Sequence, residues 1–193
     1  MKPELIQDIY PLSPAQQGML FHSLVDDASG VYVVQVGFTL VGSLAHSAFK
    51  SAWQKLIDRH DLLRTAFVWE NVESPLQVVG KKASFKLAEL PSETDLADWL
   101  SEDRKKGFQL TAAPLFRVAT LPLGPNKTRV IWTYHHLVLD GWSLPLLFQE
   151  WLQHYTSAQP QLSPALPYKD YIRWLGQRDD KVAIDYWKRY LDG

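Results

Sequence analysis

The 193-residue sequence predicts a mixed α/β protein, and three stretches carry that expectation. Residues 31–41 alternate apolar side chains with a period of two. Residues 44–59 repeat them with a helical period. Residues 129–155 pass from a β-branched and aromatic run, through a short turn, into an amphipathic helix.

From the N-terminus, Leu5 to Tyr10 leads into Ser13-Pro14, which reads as a helix N-cap with proline at the first helical position. The helix then runs from about Ala15 to Leu24. Asp26-Asp27-Ala28-Ser29-Gly30 reads as a loop. Val31 to Val41 is a strand with Tyr32, Val34, Val36, Phe38 and Leu40 on one face. Gly42-Ser43 starts a helix that ends near Arg59, with Phe49, Ala52, Trp53, Leu56 and Ile57 in its apolar stripe. Arg59 to Trp69 passes through a turn into a strand, and a shorter strand near Leu76 to Val79 pairs with it. Asp95 to Gly107 is helical through Leu96, Trp99 and Leu100. Its closing Arg104-Lys105-Lys106 suits a helix C-terminus and reads as a solvated cap, not a binding patch. Leu115 to Leu121 and Arg129 to His135 form a hairpin, followed by a helix from Leu144 to Tyr155. Pro160, Pro164 and Pro167 make 156–167 an irregular crossing, and helices at Tyr168 to Gly176 and Val182 to Leu191 close the chain.

Composition narrows the function classes. Twenty basic against twenty-one acidic residues give a net charge of −1, which removes nucleic acid and anionic membrane as generic partners. The absence of cysteine excludes disulfides, thiolate nucleophiles and cysteine-based zinc sites, and fits a reducing, cytoplasmic location. No signal-peptide pattern and no apolar run of membrane-spanning length stand in the sequence. Eight tryptophans point to large packed surfaces, some of them available to a partner.

The residues with chemistry to offer gather at the strand-to-helix junction, in Thr133-Tyr134-His135-His136-Leu137-Val138-Leu139-Asp140-Gly141-Trp142-Ser143. Side chains alternate along a strand, so the two histidines face opposite ways. One of them, His136, is the candidate for acid–base work, because imidazole exchanges a proton near neutrality. The bland reading is a buried histidine satisfied by hydrogen bonds. Metal binding by His135, His136 and Asp140 is a poor third, since opposed faces cannot converge on one ion. Asp140 either orients an imidazole or pairs with an arginine. Pairing with Arg59 or Arg64 is the favoured expectation. Gly141 permits a tight backbone and Ser143 is the expected N-cap of the following helix. Ser13, Gln16, Gln17 and His22 read as capping and surface residues, and Trp142 and Trp151 as core.

His135-His136-Leu-Val-Leu-Asp140-Gly141 resembles the His-His-x-x-x-Asp-Gly signature of condensation domains in nonribosomal peptide synthetases, a signature shared with the chloramphenicol-acetyltransferase-like superfamily. Tyr10-Pro-Leu-Ser-Pro-Ala-Gln-Gln-Gly-Met-Leu-Phe21 resembles the family's opening motif, Arg59-His-Asp-Leu-Leu-Arg-Thr-Ala-Phe67 its second, and Tyr168 to Leu175 and Tyr186 to Leu191 its closing segments. The resemblance implies a two-layer sandwich of a mixed β-sheet covered by helices, one lobe of a V-shaped domain. By it, residues 1–193 are an N-terminal lobe whose C-terminal lobe is absent. The implied reaction is amide bond formation between a donor acyl or peptidyl thioester and an acceptor aminoacyl thioester. Both are carried on the phosphopantetheine of donor and acceptor peptidyl carrier proteins, with no cofactor bound directly. His136 then faces the tunnel and Gly141 lies near the reacting centre. His135, Asp140, Arg59 and Arg64 are structural. A non-catalytic scaffold lobe and an epimerisation-type relative are the competing readings. An isolated lobe is expected to expose apolar surface and to self-associate.

Overall fold

The computed structural model describes residues 3–25 and 30–192. Within them the chain forms seven strands, six helices and two single-turn 3-10 helices. Strand β1 is Ile6–Pro11, β2 Val33–Val41, β3 Thr65–Val68, β4 Leu76–Gly80, β5 Leu87–Glu89, β6 Phe116–Gly124 and β7 Lys127–His135. Helix α1 is Pro14–Val25, α2 His46–Arg59, α3 Leu96–Lys105, α4 Ser143–Thr156, α5 Tyr168–Gly176 and α6 Asp180–Leu191. The α/β class expected from the sequence is the one observed. The loop expected at 26–30 lies, apart from Gly30, outside the described residues.

Two sheets replace the single sheet that was expected. The larger has the order β2-β7-β6-β5, with only β5–β6 parallel. The smaller, β1-β4-β3, is wholly antiparallel. Its first strand, Ile-Gln-Asp-Ile-Tyr-Pro, alternates half-buried and exposed side chains and ends on a proline, which is how an edge strand reads.

The α2 stripe of Phe49, Ala52, Trp53, Leu56 and Ile57 is fully buried; each large apolar side chain so buried contributes about 1.5–3 kcal/mol. It packs on α4 and on the face of β6–β7. There Trp53 meets Trp132 at 5.0 Å between ring centroids, and Trp151 stacks on Tyr155 at 5.3 Å. Trp151 is therefore core, as expected. On the sheet's other side α3 is pinned by Asp103, 2% exposed. Its carboxylate accepts from Arg117 Nε at 2.7 Å, Thr133 Oγ1 at 2.7 Å and Gln35 Nε2 at 3.0 Å. Arg104 and Lys106 are exposed, and among the described residues Lys105 pairs with Glu102 at 2.8 Å, so the basic cluster is a solvated helix end. No described side chain of α6 is buried. Among the described residues, no helix is long and apolar enough to cross a membrane.

Candidate active site at the end of β7

Strand β7 sits between β2 and β6, so its last residues are held from both sides. His135 N–H donates to Leu115 O at 3.0 Å and His136 N–H to Tyr32 O at 2.9 Å. The chain then turns at once, with Val138 N–H donating to His135 O at 3.1 Å. Alternation sends the two imidazoles apart, and their hydrogen bonds fix opposite tautomers. His135, 3% exposed, accepts from Leu137 N–H on Nδ1 at 3.1 Å, so its proton is on Nε2, which donates to Ser23 Oγ at 3.3 Å. Burial, and then the neighbouring His136, push the His135 pKa down to about 4. His136 is half-buried and lies 2.9 Å by Nδ1 from Leu139 O. A carbonyl only accepts, so Nδ1 carries the proton and Nε2 keeps its lone pair. That nitrogen has no partner among the described residues and is not sealed in.

The ring of His136 lines a cavity of about 410 Å³ between the start of α1, the 136–140 turn and α5, with Gln16, Met19, Leu62 and Tyr168 among its walls. A second cavity, about 380 Å³, adjoins it across Leu62, Val138, Leu139, Ser143 and Tyr168. The turn is anchored from below by Gln16, 3% exposed. Its Nε2 donates to Leu137 O at 2.9 Å and to Gln77 Oε1 at 3.0 Å, and its Oε1 accepts from Ser13 N–H at 2.9 Å. Ser13 Oγ in turn accepts from Gln16 N–H at 3.2 Å. Ser13-x-x-Gln16 is thus a capping box whose glutamine also holds the motif. The cap was legible at Ser13. The expectation that Gln16 is a surface residue is corrected, because its side chain reaches a partner 121 residues away.

A family model described as a condensation domain matches residues 6–193. The chain belongs to the condensation-domain family. It is 40% identical to one of the linear gramicidin synthase proteins of Brevibacillus parabrevis over 198 residues, 96% of this chain and 2% of that protein. It is equally 40% identical to one of the plipastatin synthase proteins of Bacillus subtilis (strain 168), over 100% of this chain and 6% of that protein. The chain thus spans a small fraction of these curated relatives. Among solved structures, the starter condensation domain of rhizomide synthetase RzmA superposes with a TM-score of 0.83 at 22% identity, over 95% of this chain and 50% of that one. Holo-AB3403, a four-domain nonribosomal peptide synthetase bound to AMP and glycine, gives 0.78 at 18%, over 95% of this chain and 15% of that one. At such identities the likeness speaks for the fold.

In this condensation-domain chain the motif residues divide differently from the sequence expectation. Asp140 pairs with no arginine among the described residues. It is exposed, and its Oδ1 accepts from Ser143 Oγ at 2.6 Å and from Ser143 N–H at 2.8 Å. The Ser143 hydroxyl is the largest influence lowering the Asp140 pKa, with the Ser143 and Trp142 amides adding to it against partial burial. The two arginines are committed elsewhere. Arg64, 5% exposed, directs its N–H groups to Ile57 O, Gln7 Oε1, Gly80 O, Asp58 O and Asp61 Oδ1. Arg59 Nε donates to Glu150 Oε2 at 2.9 Å, an oxygen that also lies 2.7 Å from His60 Nε2, and Arg59 Nη2 donates to Ser163 O. Ser143, expected as the N-cap, is instead the first residue of α4; the N-cap position falls on Trp142, which makes no side-chain cap, and Asp140 accepts the first helical N–H from two residues further back. Gly141 is exposed and does not line the His136 cavity; a Cβ there would meet nothing within 4 Å. Trp142, expected in the core, is 86% exposed. Among the described residues no group of three or more metal-ligating side chains converges.

Two residues of the site carried no signal that sequence reading used. Gln77 stands in the apolar strand Leu-Gln-Val-Val-Gly, is completely buried, and relays Gln16 to Pro11 O at 3.0 Å. Tyr32 has φ +63°, in the left-handed region that bulky residues avoid at a cost of order 1–3 kcal/mol.

Proposed function

We propose that the chain is the N-terminal lobe of a condensation domain that forms an amide bond in nonribosomal peptide synthesis. The substrates are a donor acyl or peptidyl thioester and an acceptor aminoacyl thioester, each on the phosphopantetheine arm of a carrier protein. The observation that carries the reading is His136 in a cavity wall with Nδ1 committed to Leu139 O, which leaves Nε2 without a hydrogen-bond partner among the described residues. In the step it serves, the acceptor amine attacks the donor carbonyl carbon, the C–N bond forms and the C–S bond breaks. His136 Nε2 takes a proton from the ammonium nitrogen and returns it to the departing sulfur. An α-amine with a pKa of about 7.7–8.0 is roughly one quarter or more neutral at about pH 7.5, so no strong base is required. Holding the amine then matters more than removing its proton: positioning can supply about 7–11 kcal/mol, whereas general-base help gives about 10²–10⁴-fold.

The reading also accounts for α5 and α6. Tyr171, Trp174, Tyr186, Trp187 and Tyr190 are each about half exposed or more; the chain spans half of the solved starter domain, and a second lobe would cover such surface. The test is dipeptide formation from two loaded carrier proteins. The lobe alone gives near-background amide, and addition of the C-terminal lobe restores it. His136→Ala in the restored domain lowers the single-turnover rate by about 10²–10⁴-fold. Full activity of the lobe alone, or an unchanged rate in His136→Ala, overturns the proposal.

A further inference from the structure

The turn that opens β2 uses its residues against their preferences. Gly30 O accepts Val33 N–H at 3.0 Å, so Gly30 to Val33 is a β-turn with Tyr32 in the third place. A positive φ at that place is where a type II turn takes glycine. Here glycine stands first and tyrosine third, at φ +63°. A backbone outlier kept at a bulky residue calls for contacts that glycine could not make.

The Tyr32 ring lies among three imidazoles, 6.5 Å from His22, 6.3 Å from His135 and 6.4 Å from His136, and of these His136 alone also receives the Tyr32 backbone carbonyl. Tyr32 O accepts the His136 N–H at 2.9 Å. The Tyr32 ring stands edge-on to the His136 ring, with centroids 6.4 Å apart and planes at 83°. The Tyr134 ring does the same at 5.8 Å and 85°. Nδ1 is taken by Leu139 O. The imidazole is thereby bounded by two phenol rings and a carbonyl, and Nε2 is what remains open.

We propose that Tyr32 is a positioning residue for His136, its left-handed backbone presenting a carbonyl to the His136 amide and a ring to the His136 side chain at once. The proposal rests on the reading of His136 as the reacting group and adds the residue that sets its direction. One residue grips the histidine at both ends, so backbone and side chain cannot drift independently. A reaction that depends on alignment more than on basicity is sensitive to that restraint. The phenol hydroxyl has no part in it; the aromatic ring does.

The test compares Tyr32→Phe, which keeps the ring, with Tyr32→Gly, which keeps the turn and removes the ring. In ¹⁵N-labelled chain, long-range ¹H–¹⁵N spectra of His136 and thermal melts are recorded together. Tyr32→Phe is expected to reproduce the single Nδ1–H tautomer pattern. Tyr32→Gly is expected to melt close to the parent and yet show mixed tautomers. In the two-lobed domain, Tyr32→Gly is expected to lower kcat by about 10–10²-fold with little change in KM for the loaded acceptor carrier, and Tyr32→Phe to restore it. If Tyr32→Gly melts early, Tyr32→Asn, which tolerates the same φ, takes its place in the comparison. An unchanged His136 spectrum and kcat without the ring overturns the proposal, as does a Tyr32→Phe variant that fails as badly as Tyr32→Gly. If even the parent domain joins no substrates, the proposed reaction falls, while the ring spectra still decide the part played by Tyr32.

Discussion

His135 and His136 show how one position along a strand divides a shared chemistry. His135 is enclosed between Ser23 and the 135–137 turn, with its only proton donated to a hydroxyl that is itself donating to Met19 O at 2.8 Å. Burial penalises the charged imidazolium and the neighbouring His136 adds to that penalty, so the folded state resists a second proton and the pKa falls from 6.5 to about 4. The unfolded chain binds that proton more readily, which sets the sign: stability rises with pH across this window. The contribution is complete above about pH 6.5 and drains away as the pH falls to about 4, amounting to about 3 kcal/mol at 1.36 kcal/mol per pKa unit. Urea unfolding of the chain at a series of pH values between these limits should show that slope, and His135→Gln should remove it. A His135→Gln protein with the same pH slope as the parent would place the loss elsewhere.

At the scale of elements, α4 is where expectation and structure part. The junction of β7 and α4 was legible, because a β-branched and aromatic run ends on an amphipathic repeat. So were α2, α5 and the β6–β7 hairpin, each specified by a local period or a turn. Asp140 was not, because an aspartate before a helix satisfies two rules at once. It is an N-cap residue by type and an arginine partner by charge, and only the position of Arg64, saturated by Gln7, Asp61 and three carbonyls, decides between them. Strand β1, Gln16 and Gln77 escaped for a related reason. Their bonds join segments far apart in sequence, and no local period reports them. The two accounts of Asp140 differ in magnitude. Loss of a helix cap costs about 1 kcal/mol, whereas breaking a buried ion pair costs about 3–5 kcal/mol. Asp140→Ala should therefore destabilise the chain by about 1 kcal/mol, and Asp140→Asn, which also caps, by a few tenths. Chemical denaturation measures both. A loss of about 3 kcal/mol or more in either variant would restore the arginine pairing.

The whole molecule is lopsided. One side of the larger sheet carries the aromatic core under α2 and α4, while α6 projects Tyr186, Trp187, Tyr190 and Leu191 at 52%, 55%, 67% and 75% exposure. Among the described residues the ring contacts of these three are with one another, Tyr186 lying 6.0 Å from Tyr190 and 5.3 Å from Trp187. An apolar stripe of that kind, on a helix none of whose described side chains is buried, is stable in water only when something covers it. With a net charge of −1, long-range repulsion does little to keep copies apart. The chain alone should therefore associate as its concentration rises, as sedimentation velocity across a dilution series would show. Trp187→Asp with Tyr190→Asp should return it to a monomer. Because neither side chain is buried, the double variant should keep the parent's unfolding free energy to within about 0.5 kcal/mol. Addition of a matching C-terminal lobe should compete with self-association for the same face. A chain that stays monomeric at every concentration and ignores that lobe would mean the stripe is covered by neither, and the half-domain reading would lose its physical support.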